Sequence, residues 1–410
     1  MTVRPPRILM AAYGGGHAAM IAPVARGLRA LGADVDLVGF TTARAAFERA
    51  DLEAGSVIKM LDPDPAADAP YREAALTLLT GDGHADVTRE ETEAYFTIGL
   101  RDLAEQLGLD EAMRRVRIEG RKAFLPVSAM ERYLLQTKPD LVISTTSPRF
   151  ELALLRAARR QGIPSVALGD LFLVDEREWI LSGDYAEHLT VISPVVAEEL
   201  ARDGLVGTQT HVTGNPAFDT MRPRPDDGAR RDALRLRLGL SDRTVILWPA
   251  AQLGAMASDQ RPYARPDEVV AAMERICERD PGFAYLLRPH PNAPFEMPEG
   301  ARNGVLDLGI LTPEEALLTA DLVCVEVSTM GLQAALLGKP VVCVTFAHEA
   351  GFPRYGLAQV VESLDGAVDL IAGRRFALPS KDFSMPPLGS ATSNVIRLLQ
   401  RLAATIDGLH

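Results

Sequence analysis

Tyr13-Gly14-Gly15-Gly16-His17 sets a titratable imidazole directly behind three glycines. Glycines let a bound group come close to the backbone, and a helix that starts at such a turn offers unpaired N–H groups to an anion or a polar sugar. A histidine placed there can take a proton from a hydroxyl near neutral pH. The competing reading, a histidine buried in the core, fits poorly with a turn this rich in glycine.

Other chemistry-bearing groups fall at the ends of β-like runs. Leu286-Leu287-Arg288-Pro289-His290-Pro291-Asn292 ends a run in a cation and a histidine bracketed by two prolines. In open α/β sheets ligands bind beyond the carboxyl ends of the strands, so Arg288 and His290 are expected to face a ligand, unless Arg288 pairs with a carboxylate. Ser328-Thr329-Met330-Gly331 stands between the run Asp321–Val327 and a helix-like segment. Its hydroxyls, its glycine and the helix dipole can receive a diphosphate, although Ser328 alone could be an ordinary N-cap. Thr145-Thr146-Ser147-Pro148 ends another run, as does Gly169-Asp170, which leads to Asp175-Glu176-Arg177-Glu178. Asn215 lies at the apex of His211-Val212-Thr213-Gly214-Asn215-Pro216. Glu326 is out of keeping with a phosphate loop unless it meets a hydroxyl or a cation. Asp62-Pro63-Asp64 reads as a loop and no metal site is expected.

The elements that must hold these groups alternate. Ile8–Ala12, Val35–Phe40, Leu141–Thr145 and Ser165–Gly169 read as strands, with helices at Ala18–Leu31 and Phe150–Gln161. That alternation predicts a doubly wound parallel sheet. Between Tyr71 and Thr137 helical periodicity takes over, with Leu76, Leu79, Tyr95, Ile98, Leu103, Leu107, Met130, Tyr133 and Leu134 as core contacts. This insertion either shapes an acceptor pocket or covers the sheet. A Pro- and Gly-containing linker at Met221–Gly228 precedes a second round of alternation: strands at Thr244–Trp248, Phe283–Arg288, Leu322–Val327 and Val341–Val344, helices at Asp267–Arg279 and Thr312–Thr319. Thr312-Pro313-Glu314-Glu315 has the pattern of a capping box. The expected domains are 1–222, with the insertion at 71–137, and 229–390, with a helix in 391–410 returning to the first.

The 410 residues exceed what one core organises, and the net charge of -12 argues against a nucleic-acid partner. Arg114-Arg115-Val116-Arg117 and Arg230-Arg231 read as solvated helix faces. Cys277, Cys324 and Cys343 stand singly in apolar runs, as buried reduced thiols do. The apolar run after Met1 is too short for a signal peptide or a membrane span, which points to the cytoplasm.

In motif order the chain resembles the GT-B superfamily of nucleotide-sugar enzymes. Gly14-Gly15-Gly16-His17 is similar to the first-strand loop of the peptidoglycan N-acetylglucosaminyltransferase. Thr213-Gly214-Asn215 resembles the segment leading out of the first domain in those transferases and in the UDP-N-acetylglucosamine 2-epimerases. Arg288-Pro289-His290-Pro291-Asn292 is similar to loops of the epimerases and of capsule and teichoic-acid polymer transferases, and Ser328–Gly331 with Gly338-Lys339-Pro340 to the donor diphosphate loop of the latter.

The resemblance implies an α/β GT-B fold, two Rossmann-like domains facing an interdomain cleft. It implies a glycosyltransferase taking a nucleotide-sugar, without metal or cofactor, with His17 as general base beside Gly14, Gly15, Gly16 and Asn215. The diphosphate would lie near Arg288, His290, Ser328, Thr329 and Gly331. The first alternative is an epimerase or hydrolase using Asp170 with Glu176 or Glu178, although the epimerases carry an Arg-Pro-Glu type first loop where this chain has Gly-Gly-His. The second is a non-catalytic nucleotide-sugar binding protein. Gln333 replaces a glutamate common in relatives. The acceptor is not specified, and peripheral membrane association and homodimer formation are left open.

Overall fold

The structure, a computed structural model, describes residues 4–79, 84–251, 262–290, 293–344 and 351–407, the side chains of 352 and 403–407 excepted. The chain divides into two compact units, Met1–Asp219 with Met385–His410, and Thr220–Ser384.

The first unit carries strands β1 (Arg7–Ala12), β2 (Asp34–Gly39), β3 (Gly55–Ser56), β4 (Leu141–Ser144), β5 (Ser165–Leu168), β6 (His188–Val191) and β7 (Gln209–Val212). Its helices are α1 (Gly15–Ala30), α2 (Ala43–Arg49), α3 (Pro65–Leu76), α4 (Arg89–Leu107), α5 (Leu109–Glu119), α6 (Val127–Thr137), α7 (Phe150–Arg160), α8 (Arg177–Ile180) and α9 (Pro194–Arg202). The second unit carries α10 (Asp227–Leu238), β8 (Thr244–Pro249), α11 (Pro266–Arg279), β9 (Phe283–Arg288), β10 (Gly304–Leu306), α12 (Pro313–Thr319), β11 (Leu322–Val325), α13 (Thr329–Leu336), β12 (Val341–Val344), β13 (Gln359–Val361) and α14 (Leu364–Ala372). Helix α15 (Ala391–Asp407) belongs to the first unit and packs on α1.

The first sheet has the order β3-β2-β1-β4-β5-β6-β7 and the second β10-β9-β8-β11-β12-β13, with every pairing parallel. Both orders reverse direction once, between β1 and β4 and between β8 and β11. Ligands of doubly wound sheets bind at such switch points.

Parallel strands bury both faces, and β1 shows how. Ile8, Met10 and Ala12 join a core with Met20, Val24, Phe47 and Val395, while Leu9 and Ala11 join the opposite core. That second core is where the insertion goes: Tyr95, Ile98, Leu103, Met130, Tyr133 and Leu134 are buried there with Val38 and Val142, so α4 and α6 cover the sheet. Tyr95 stacks on Phe150 at 4.1 Å between ring centroids. Leu76 and Leu107, expected inside, are each 42% exposed.

Local signals explain the helix ends. Thr312 and Glu315 form the reciprocal capping box before α12, with Glu315 N–H donating to Thr312 Oγ1 at 3.2 Å and Thr312 N–H to Glu315 Oε2 at 2.8 Å. Asp64 caps α3 and Asp62 accepts from Arg101 at 2.9 Å, so both carboxylates of the Asp-Pro-Asp run serve the fold. Arg114, Arg115 and Arg230 pair with acids on their own helices. The three cysteines are buried and free. Among the described residues no helix is long and apolar enough to cross a membrane, and no cluster of three or more His, Cys, Asp or Glu could hold a metal.

Gly169 is fixed by packing: a Cβ there would stand 2.2 Å from the Thr190 carbonyl oxygen, which accepts the Gly169 N–H. Gly169→Ala is therefore expected to force β5 and β6 apart and lower the melting temperature, read by circular dichroism. An unchanged melting temperature would contradict this packing.

Candidate functional site at the switch points

The glycine run enters the helix earlier than its sequence suggests. Gly15, Gly16 and His17 form the first turn of α1, with Gly14 in extended conformation at the N-cap and its carbonyl accepting from Ala18 N–H at 2.9 Å. The reason lies in the neighbouring segment, since Thr42 Oγ1 accepts the Gly15 N–H at 3.2 Å and supplies the cap that Gly14 lacks. None of Gly14, Gly15 and Gly16 needs positive φ. A Cβ would meet only ordinary contacts at Gly14 and Gly15, at 3.6 and 3.9 Å, and open space at Gly16.

His17 projects to the end of β4, where the central group is one the sequence did not single out. Glu151, in the first turn of α7, is fully buried. Its Oε1 accepts from Tyr13 N–H at 2.6 Å and lies 3.2 Å from His17 Nδ1. Its Oε2 accepts from the Thr145 hydroxyl at 2.6 Å and from Ser147 N–H at 2.8 Å. Thr145 Oγ1 also contacts His17 Nδ1. The single Thr145 hydroxyl hydrogen goes to Glu151, so Nδ1 must be the donor toward Thr145 and Glu151. That leaves Nε2 for chemistry. In sequence Glu151 reads as an ordinary acid in a helix first turn; only its place after a strand at a switch point sets it apart.

Burial alone would lower the His17 pKa, but Glu151, followed by Asp170 and Glu176, raises it from 6.5 to about 9. Asp170 and Glu176 are themselves shifted up, burial being the main cause for each. Asn215 joins this group: its Nδ2 donates to Asp170 O at 2.9 Å and Oδ1 at 3.1 Å. The positive φ of Gly214 (81°) makes the turn that delivers it. Trp179 Nε1 donates to Thr146 O at 3.1 Å, which ties α8 to the same rim. Glu178, on α8, is exposed and is not among the charges acting on His17, a place that Glu176 takes. Tyr185 is fully buried near Glu151 and Glu176, and its hydroxyl finds no partner among the described residues.

In the second unit the predicted donor residues lie at one edge of the sheet. Arg288 ends β9 and Ser328 lies just beyond β11, the two strands that flank β8. Arg288 does not point freely outward: it pairs with buried Asp307 and donates to Leu311 O at 2.9 Å, fixing the turn before α12. Ser328 caps α13 through Met330 N–H at 3.3 Å, Thr329 is exposed and Gly331 is buried. Burial holds the His290 pKa below its ordinary value. Pro291 and Asn292 lie outside the described residues. Glu326 is buried, with Oε1 accepting from Ala264 N–H at 3.0 Å and Oε2 without a partner among the described residues, and burial pushes its pKa up to about 7.

Four outcomes follow. By NMR, the His17 imidazole should titrate at about 9 in the wild type and well below that in Glu151→Gln; an unmoved midpoint would mean that Glu151 is not the cause. Because the folded pKa is raised, the stabilisation from this pair is complete below pH 6.5 and lost as pH rises through about 9. Gly16→Ala should keep the wild-type melting temperature while weakening turnover if substrate approaches this backbone. Arg288→Ala leaves Asp307 a buried unpaired charge and should cost the second unit about 3–5 kcal/mol in denaturant unfolding.

No protein-family model matches the chain. It is 28% identical over 316 residues to the lipid-A-disaccharide synthase of Burkholderia vietnamiensis, covering 73% of each chain. To the lipid-A-disaccharide synthase of Paraburkholderia phymatum it is 25% identical over 344 residues, covering 75% of this chain and 80% of the other. Among solved structures, the UDP-GlcNAc 2-epimerase of Neisseria meningitidis bound to UDP-GlcNAc superposes with a TM-score of 0.62 at 14% identity, covering 96% and 100%. The UDP-GlcNAc 2-epimerase of Methanocaldococcus jannaschii gives 0.57 at 14% identity, covering 96% and 99%. The structures bear on the fold and the synthases on the type of activity: the chain has a GT-B fold and an activity of the glycosyltransferase type.

Proposed function

We propose that the protein transfers a sugar from a UDP-linked donor to a hydroxyl of a saccharide acceptor, with His17 as general base and Glu151 as its positioning residue. The observation that carries this reading is the network of His17, Thr145 and buried Glu151 at the first switch point. With Nδ1–H committed to Thr145 and Glu151, Nε2 can take the acceptor hydroxyl proton as the oxygen bonds to the anomeric carbon. The bond from that carbon to the diphosphate breaks, and its electron pair leaves on the phosphate oxygen. Glu151 then stabilises the imidazolium that forms.

The choice of a UDP-linked donor follows the ligand of the Neisseria structure, and that of a saccharide acceptor the names of the two synthases. In the second unit the donor diphosphate would meet the N-terminal turn of α13 with Ser328, Thr329 and Gly331, near His290 and the Asp307-anchored Arg288. The helix dipole and that arginine would replace a metal ion.

A raised pKa makes His17 a strong base that is mostly protonated in the free protein, with about one molecule in a hundred neutral at pH 7. The observation of Asp170 and Glu176 beside His17 favours a second reading, an elimination at the sugar with these acids as bases.

The test is nucleotide release from a panel of UDP-sugars, with and without saccharide acceptors. Transfer predicts acceptor-dependent release with kcat/KM rising about tenfold per pH unit toward a plateau near 9, loss of about 10²–10⁴-fold in His17→Ala, and no response to chelator. Acceptor-independent formation of a 2-epimer or free nucleotide, abolished by Asp170→Asn, would select the second reading. Full turnover in His17→Ala would remove His17 from the chemistry.

A further inference from the structure

In the first unit the fold positions a cation, Arg149, that no oxygen of the described residues takes up. Arg149 ends the Thr145–Arg149 loop, the residue before α7 and two before Glu151. Its backbone sits at φ 71° and ψ -112°, in a region that favours glycine. Its guanidinium carbon lies 4.8 Å from the centroid of the Tyr13 ring. That ring is itself fixed, because Tyr13 N–H donates to Glu151, Thr41 Oγ1 donates to Tyr13 O, and its hydroxyl lies 3.4 Å from that of Tyr95. Backbone and cation–π contact together hold the guanidinium at the rim of the His17 turn.

Arg149 Nε is buried without a hydrogen-bond partner, and among the described residues no carboxylate or carbonyl takes any part of the guanidinium. Other half-buried arginines behave differently: Arg44, Arg101, Arg156, Arg177 and Arg288 each meet a carboxylate, Arg29 and Arg159 donate to backbone carbonyls, and Arg243 donates to the Asn303 side-chain oxygen. An arginine that is partly desolvated, rigidly held and unpaired lacks an oxyanion, since planar N–H forks match carboxylate and phosphate. Thr146 Oγ1, three residues earlier in the same loop, is also buried without a partner among the described residues. A chain of net charge -12, with Asp170 and Glu176 nearby, would repel an anionic acceptor unless a local cation received it.

We propose that Arg149 is an acceptor-side anion clamp: it binds an oxyanion, phosphate monoester or carboxylate, carried by the sugar whose hydroxyl faces His17. The inference rests on the transferase reading for the word acceptor, and on Arg149 alone for the anion.

The experiment titrates the full chain, with saturating UDP and without it, with glucose 1-phosphate, glucuronate and methyl glucoside by calorimetry. In the wild type at least one charged sugar should bind about tenfold or more tighter than methyl glucoside, and the stronger of the two identifies the anion as phosphate or carboxylate. Arg149→Met should bring the charged sugars to the level of the neutral one, Arg149→Lys should restore part of the difference, and the UDP affinity should not change. Arg149→Gly, which relieves the positive φ, should stay folded and give the same loss, separating the charge from any folding defect. Equal affinity for all three sugars, undiminished charged-sugar binding in Arg149→Met, or a parallel loss of UDP affinity would overturn the proposal. If no acceptor supports transfer while charged sugars bind through Arg149, the transferase reading fails and the clamp stands. If charged acceptors are glycosylated equally well by wild type and Arg149→Met, the clamp fails and the transferase stands.

Discussion

A carboxylate with no access to water is costly unless its lone pairs are filled, and Glu151 is filled from two separate loops. Tyr13 N–H comes from the turn after β1, while Thr145 Oγ1 and Ser147 N–H come from the loop after β4. Those strands are neighbours in the sheet although more than a hundred residues apart in sequence. Satisfying one buried charge therefore closes the first switch point, and His17 is held there because its Nδ1 completes the same constellation. The shift in His17 basicity, the orientation of its ring and the path of the loop to Arg149 follow from this requirement.

The second unit repeats the strand order but uses its strand ends differently. Arg288 and Asp307 are spent on each other, and Ser328 is spent on the start of α13. Among the described residues Glu326 keeps one unsatisfied oxygen, which burial drives toward the protonated form. An arginine anchored by a buried acid and a capped helix start are rigid features, and rigidity in the free state lowers the ordering cost of binding.

The parallel sheets were legible because buried strands leave uninterrupted apolar runs, as Leu322–Val325 and Val341–Val344 do, and because turn chemistry marks their ends. The capping box at Thr312 was legible for the same local reason. The start of α1 was not, because Gly15 is capped by Thr42, a residue from another loop. Glu151 was hidden more deeply, since an acid in a helix first turn is commonplace and its four contacts come from folding, not from spacing. The choice between Glu176 and Glu178 depends on which side of a single-turn helix faces inward, which two neighbouring acids in a row of charges do not reveal.

The glycines show how far a sequence pattern carries. Gly169 has no side chain because the Thr190 carbonyl occupies the place where a Cβ would stand. The run Gly14–Gly16 meets no such obstacle, and its φ values suit any residue. Packing therefore accounts for Gly169 and leaves the triplet without a structural need. What the triplet does provide is bare backbone at the N-terminal turn of α1, beside an imidazole whose Nδ1 is already committed to Thr145 and Glu151. Space the fold does not use, next to a nitrogen the fold leaves available, is the form a substrate contact takes before the substrate arrives.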